Sequence, residues 1–173
     1  MVPIEMNGEQ FNINTIETMQ ELPPPPAVGS QHPLVMIHGF GGGVGIFVKN
    51  IDALSKRLKV FAFDTLGFGK SSRPQFPTDP EDCEQFFVES IEAWRKQKNL
   101  DKMVLLGHSF GGYQAACYAI KYPQHVHHLI LADPWGFPAF AEQPARPRPM
   151  WVRAIVGMLR PFAPFALLRC PPT

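Results

Sequence analysis

Four short apolar runs punctuate the middle of the chain: Leu34–Ile37, Val60–Phe63, residues 103–106 (Met-Val-Leu-Leu) and residues 129–132 (Leu-Ile-Leu-Ala). Each is followed by His, Asp or Gly, and helix-length segments separate them. That rhythm predicts strand, helix, strand, helix. Continuous apolar strands belong in a sheet covered on both faces, and right-handed crossovers between them make the sheet mostly parallel and doubly wound. The expected fold class is therefore α/β. Asp79 or Asp82 can cap a helix running through Phe86, Phe87, Ile91 and Trp94, whose spacing makes one apolar face before the basic end at Arg95, Lys96 and Lys98. Residues 113–122 read as a further helix. Alternation at Phe11 and Ile13 allows a leading hairpin within residues 1–19.

Proline sets the expected boundaries. Pro23, Pro24, Pro25 and Pro26 form one run, and Pro134, Pro138, Pro144, Pro147 and Pro149 interrupt a second stretch. The division expected from them is residues 1–30 as an N-terminal segment with a Pro-rich linker, 31–138 as the core, and 139–173 as the start of a cap. Within 149–169, Trp151, Ile155, Met158 and Leu159 share one helical side with Arg153 and Arg160 opposite. Such a helix can lie flat in a phospholipid interface or cover an apolar pocket.

Composition narrows the function. With 173 residues and 45% apolar content the chain has material for one real core. A net charge of +1 argues against nucleic acid as a partner. Cys83, Cys117 and Cys170 are too widely spaced for a disulfide framework or a zinc site, and no metal or other cofactor is expected. Glu5 and Glu9 stand where a secretory leader would carry basic residues, and no apolar run approaches the roughly 20 residues that cross a bilayer. A cytoplasmic location with at most peripheral membrane contact is the expectation.

The chemistry centres on Gly107-His108-Ser109-Phe110-Gly111, which follows one apolar run and opens a helix. This is a nucleophile elbow in its required context, with glycines where a sharp strand-to-helix turn leaves no room for side chains. The turn presents the Ser109 hydroxyl and aims the Phe110 amide at the same point. A second glycine-rich segment, His38-Gly39-Phe40-Gly41-Gly42-Gly43, follows the first of the four apolar runs and is of the kind that supplies the other oxyanion amide, here expected from Phe40. A dinucleotide site is the rival reading, since Gly39, Gly41 and Gly45 approach the Rossmann spacing and the next strand ends in Asp64. That reading leaves the Ser109 elbow unexplained.

Residues 38–43, the stretch Asp64-Thr65-Leu66-Gly67-Phe68-Gly69-Lys70-Ser71-Ser72-Arg73-Pro74, the elbow, and residues 128–138 (His-Leu-Ile-Leu-Ala-Asp-Pro-Trp-Gly-Phe-Pro) together resemble one branch of the α/β-hydrolase superfamily. That branch holds the N-acyl-phosphatidylethanolamine lysophospholipases and a similar lipid-droplet co-activator of adipose triglyceride lipase. The resemblance spans roughly residues 33–169. It implies a partial α/β-hydrolase fold ending in the cap segment, and a serine hydrolase of lipid acyl esters. In the co-activator the elbow serine is replaced by Asn, whereas Ser109 is retained here. Besides Ser109, Phe40 and Phe110, the expected substrate-binding residues are Gly39, Gly41, Tyr113, Trp135 and Phe137.

One departure is serious. A triad in this fold needs an acid and then a histidine late in the chain, yet the last histidine is His128. His125, His127 and His128 read as surface and strand-edge residues, His38 as a brace for the oxyanion loop, and His108 as packing beneath the elbow. Asp133 reads as a strand-terminal turn. The chain is expected to be a truncated form, inactive as a hydrolase. The alternatives are a non-catalytic module that binds a lipid surface, a lipase or a droplet-coat protein, and a lysophosphatidic acid acyltransferase using His128 and Asp133. Expected locations are cytoplasmic, peripheral to a lipid droplet, the endoplasmic reticulum or a mitochondrial membrane. Missing later strands are further expected to leave an unpaired edge at residues 129–132 and to under-bury Leu34–Ile37 and residues 103–106.

Overall fold

The structure, a computed structural model, describes residues 1–18 and 32–136. Phe137, the proline run at 23–26 and the amphipathic stretch at 149–169 lie outside the described residues.

A hairpin opens the chain: β1 (Val2–Met6) pairs antiparallel with β2 (Glu9–Ile13). Asn7 and Gly8, both at positive φ, make the two-residue turn whose twist matches the strands. Alternation does the rest, since Ile4, Met6, Phe11 and Ile13 are buried while their neighbours face water.

The main sheet has five strands: β3 (Thr15–Glu17), β4 (Leu34–Ile37), β5 (Val60–Phe63), β6 (Met103–His108) and β7 (Val126–Ala132), in the spatial order β3-β5-β4-β6-β7. β4 through β7 are parallel, and β3 joins antiparallel to β5. The crossovers are α1 (Val48–Ser55), α2 (Pro80–Gln97) and α3 (Phe110–Lys121). The α/β class and its mostly parallel sheet stand as expected, with the four apolar runs in four neighbouring strands. The first seventeen residues, expected as a leading segment apart from the core, contribute β3 to the sheet and share one compact unit with it, Met1–Gly136.

Alternate residues of β4, β5 and β6 feed two cores. Val35, Ile37, Phe61, Phe63, Met103 and Leu105 pack with α2, α3 and the hairpin, while Leu34, Met36, Val60 and Ala62 pack with Phe47 and α1. Trp94 anchors the first core: fully buried, its ring lies 4.7 Å from that of Phe63, and its indole N–H donates to Thr15 Oγ1 at 2.9 Å. That bond brings the short β3 to the sheet and satisfies a buried donor.

Asp79 caps α2, its carboxylate accepting from the amides of Glu81 and Asp82 at 2.9 and 3.1 Å, with Pro80 at the first helical position. On α2 and α3 a buried polar cluster replaces part of the apolar interface. Arg95 donates to both Glu92 carboxylate oxygens at 2.8 Å, and the Tyr118 hydroxyl donates to Glu92 at 2.7 Å. Burial works against the ionised carboxylate, but the hydrogen bonds and charges around it prevail and hold Glu92 down at about 2.

The expected under-burial of Leu34–Ile37 does not occur, because α1 covers one face of β4 and the α2/α3 layer the other, and no residue of β4 is more than 4% exposed. Residues 103–106 are half covered, Met103 and Leu105 being buried and Val104 and Leu106 intermediate. Exposure falls instead on β7, the last strand of the described sheet, where Ile130 and Leu131 are 39% and 37% exposed.

Candidate active site

The chain leaves β4 toward β5 on one side and leaves β6 toward β7 on the other. The carboxyl ends of β4 and β6 are therefore a switch point, the place where an open α/β sheet leaves a crevice. Both glycine-rich segments emerge there.

Ser109 links β6 to α3 with φ 53 and ψ −118, a conformation that side chains rarely adopt. A serine at a helix N-cap ordinarily bonds the first-turn amides, but the Ser109 hydroxyl makes no capping bond. The strained backbone turns it elsewhere. Its backbone is tied on both sides to the end of β7: the Ser109 amide donates to Ala132 O at 3.1 Å, and the Trp135 amide donates to Ser109 O at 2.9 Å. The flanking glycines are required sterically. A Cβ on Gly107 would lie 2.2 Å from Gly111 O, and one on Gly111 would lie 2.4 Å from Ile37 O.

The 38–47 loop lies directly against this elbow. A Cβ on Gly39 would meet Ser109 Cβ at 3.0 Å, so nothing larger fits between the loop and the serine. Gly41 holds φ +70 in open space, which turns the chain after Phe40. Phe110 is the first residue of α3, where an amide has no partner within its helix and the helix field favours negative charge. Phe40, on the loop, and Phe110, at the start of α3, thus flank Ser109, with rings 6.3 Å apart.

His38 is buried and fully engaged. Its Nε2 accepts from the Thr65 amide at 3.1 Å, which leaves the proton on Nδ1, and Nδ1 donates to Gly39 O at 2.8 Å. Burial lowers its pKa from the usual 6.5, in spite of the Gly39 bond and the nearby Asp64 charge. The expected bracing role holds in this geometry. His108 keeps a buried Nδ1 with no hydrogen-bond partner among the described residues, so that nitrogen does not engage the Ser109 hydroxyl.

All six histidines of the chain are among the described residues, and the other four lie toward the amino ends of the strands, away from the elbow at their carboxyl ends. His32 precedes β4 and packs its ring 4.4 Å from that of His127, and His125 Nδ1 donates to Asp101 O, just before β6. His128 pairs with Val104. Five residues of strand separate Val104 from Ser109, roughly 16 Å. Asp133 is exposed at φ 47 in the turn after β7, a comparable distance from His128, so those two residues do not form an acyltransferase pair.

Aromatic rings surround the elbow. Phe110 lies 5.7 Å from Trp135, 6.5 Å from Tyr113, 5.4 Å from Phe87 and 6.3 Å from Phe68, and Phe68 lies 5.4 Å from Phe40. Phe40 and Trp135 are 55% and 62% exposed. Tyr113 presents its ring while its hydroxyl donates to Glu84 on α2. The sequence reading missed Phe68 and Phe87 as members of this wall. It considered Asp64 only as the acid of a dinucleotide site and as part of the family resemblance, not as a brace, yet its buried carboxylate accepts from the Val44 amide at 2.7 Å, the Lys70 amide at 2.9 Å and Asn14 Nδ2 at 2.8 Å. A polar residue directly after an apolar strand is the only signal of such a role that the sequence offers.

Residues 32–158 match the alpha/beta hydrolase fold family. A bovine protein named (Lyso)-N-acylphosphatidylethanolamine lipase is 53% identical over 146 residues, which cover 83% of this chain and 43% of that protein. The mouse 1-acylglycerol-3-phosphate O-acyltransferase ABHD5 is 54% identical over 145 residues, 82% of this chain and 41% of its own length. The chain thus spans well under half the length of these relatives. Among solved structures, a membrane phospholipase A described as a bacterial virulence factor superposes with a TM-score of 0.64 at 27% identity, covering 81% of this chain and 41% of that one. A probable hydrolytic enzyme from Pseudomonas aeruginosa superposes at 0.66 with 23% identity, covering 92% and 51%. The chain belongs to the alpha/beta hydrolase fold family.

Proposed function

We propose that this chain carries the nucleophile and oxyanion site of a serine hydrolase acting on lipid acyl esters, glycerophospholipids above all. The observation that carries the reading is Ser109, strained and free of capping duty at the switch point of the sheet, in a chain whose relatives bear the names of a phospholipid lipase and a glycerolipid acyltransferase. Ser109 Oγ attacks the ester carbonyl, a C–O bond forms, and the carbonyl oxygen becomes an oxyanion held by the Phe40 and Phe110 amides. Collapse breaks the ester C–O bond, the leaving oxygen takes up the proton given up by Ser109 and departs as the alcohol, and an acyl-serine is left for an acceptor hydroxyl, that of water or of a glycerolipid. The aromatic wall of Phe40, Phe110, Tyr113 and Trp135, exposed at Phe40 and Trp135 and half-buried at Phe110 and Tyr113, suits an acyl chain.

No histidine of this chain is placed to take the Ser109 proton. Loss of the base from a triad costs about 10⁴- to 10⁶-fold in rate, so attack by this chain is correspondingly slow. The same placement favours a second reading, a non-catalytic module that binds a lipid surface or another lipase. On either reading the chain works in the cytoplasm, peripheral to a lipid droplet, the endoplasmic reticulum or a mitochondrial membrane. Among the described residues no helix is long and apolar enough to cross a membrane.

A fluorophosphonate probe separates the two readings. Covalent capture by the purified chain that disappears in Ser109→Ala supports the hydrolase site. Absence of capture after long exposure, with binding to phosphatidylcholine vesicles retained, supports the non-catalytic module.

A further inference from the structure

The geometry points to Asp64 as the positioning residue that fixes the 39–47 loop against Ser109. The inference deepens the proposed function and rests on it for the role of that loop. Asp64 directly follows β5, on the far side of β4 from β6 and the elbow, and is 2% exposed. Its Oδ1 accepts from Val44 N, within the loop, and its Oδ2 accepts from Lys70 N and from Asn14 Nδ2. One carboxylate therefore ties together three segments distant in sequence.

The surroundings are shaped around that carboxylate. A Cβ on Gly43 would lie 2.9 Å from Oδ1, and one on Gly69, which also holds φ +50, would lie 2.1 Å from Oδ2. Glycine at both positions lets the backbone close on the charge. The backbone of Asp64 is held as well, its amide donating to Asn14 O at 2.9 Å and its carbonyl accepting from Ser71 Oγ at 2.6 Å. These bonds fix the anchor from which the loop hangs. His38 holds the start of the same loop through Gly39 O, so the Phe40 backbone is suspended between two buried braces, His38 before it and Asp64 after it. An oxyanion donor works only if held before the charge develops, and a loop free to move about 1 Å loses most of its effect.

Amide hydrogen exchange read by mass spectrometry, together with the rate of fluorophosphonate capture at Ser109, tests this on the purified chain. Asp64→Ala is expected to raise exchange in residues 39–47 about tenfold or more, the equivalent of a lost hydrogen bond, while β4 and β6 keep their protection. Capture is expected to slow about 10²-fold, the effect of losing an oxyanion donor. Asp64→Asn keeps an oxygen for Val44 but turns an amide toward Lys70 N, so it should restore part of the protection in 39–47 and part of the rate. Gly69→Ala, which must push the carboxylate aside, should loosen the same peptides and covers the case in which Asp64→Ala does not fold. Unchanged exchange in 39–47 across these variants overturns the inference, as does a rise spread evenly over β4 and β6. Selective loosening in a protein whose wild-type Ser109 captures no probe upholds the clamp and sinks the hydrolase reading instead.

Discussion

The carbonyl oxygen of Ser109 accepts the amide proton of Trp135 at 2.9 Å, so the turn after β7 closes directly onto the residue that carries the nucleophile. With the Ser109 amide bonded to Ala132 O, the strained serine is held by a strand that follows it in the chain. The strain is a cost that the surrounding bonds sustain, and it makes Ser109 a place where activity and stability diverge.

Ser109→Gly is expected to stabilise the fold by about 1 kcal/mol, because glycine adopts φ 53, ψ −118 without penalty. Ser109→Ala should leave stability within about 0.5 kcal/mol, since the hydroxyl makes no capping bond. Both should abolish probe capture. Urea unfolding measures the first two effects, and a destabilised Ser109→Gly protein would show that the backbone there is relaxed.

Gly111→Ala is expected to cost about 3 kcal/mol, because its methyl would meet Ile37 O at 2.4 Å and that carbonyl is fixed in the sheet. The urea midpoint should fall accordingly. An unchanged midpoint would mean that α3 can slide away from β4, which the close approach of the two elements argues against.

Glu92 sets an acid limit. Its folded pKa of about 2 lies below the usual 4.5, so its contribution is present above 4.5 and is lost as the pH falls toward 2. The loss is on the order of 3 kcal/mol, and it should show as a fall in unfolding free energy between pH 5 and roughly 2.5. Glu92→Gln should flatten that fall while destabilising the protein at neutral pH, where Arg95 is left buried without its partner. An unaltered pH profile in Glu92→Gln would assign the acid loss elsewhere.

His38 sets a second limit at milder pH. Burial lowers its pKa from 6.5, so the unfolded chain takes up the proton first and stability declines as the pH drops below 6.5. Imidazole nitrogen resonances should show His38 neutral, with the proton on Nδ1, at a pH where an exposed histidine is half charged. Half-protonation at or above pH 6.5 would contradict the braced geometry.

Much of this was legible in the pattern of residues. Four apolar runs marked four strands, Asp79, one of two cap candidates beside Asp82, marked a helix start, and the glycines around Ser109 marked the elbow, because each depends on local stereochemistry. β3 was not legible, since three residues carry no periodicity and Thr15 is placed by Trp94, which lies far along the chain. In the sequence Glu92 carried no signal, and Arg95 read only as part of the basic end of a cover helix. Only the arrival of Tyr118 from α3 makes them an interior cluster. Asp64 was visible as an acid after a strand, but its three donors come from distances of 6, 20 and 50 residues that no short motif spans.

The exposed strand β7 should govern behaviour in solution. Ile130 and Leu131 are over a third exposed on the edge strand of the described sheet, and such strands pair with other chains. We expect strong binding of a hydrophobic dye and concentration-dependent light scattering, both reduced by Ile130→Lys. A dye-silent monomer with sharp two-state unfolding would count against this.

The bond from Asn14 to Asp64 bears on where this protein's working unit begins. The match to the family starts at residue 32, after the hairpin and β3, yet Asn14 donates to the carboxylate that steadies the glycine loop. A polypeptide started at the family boundary would keep every recognisable signature and discard one strut of the scaffold those signatures depend on. The stretch by which kinship is recognised and the stretch that must be inherited together to work are here different lengths of chain.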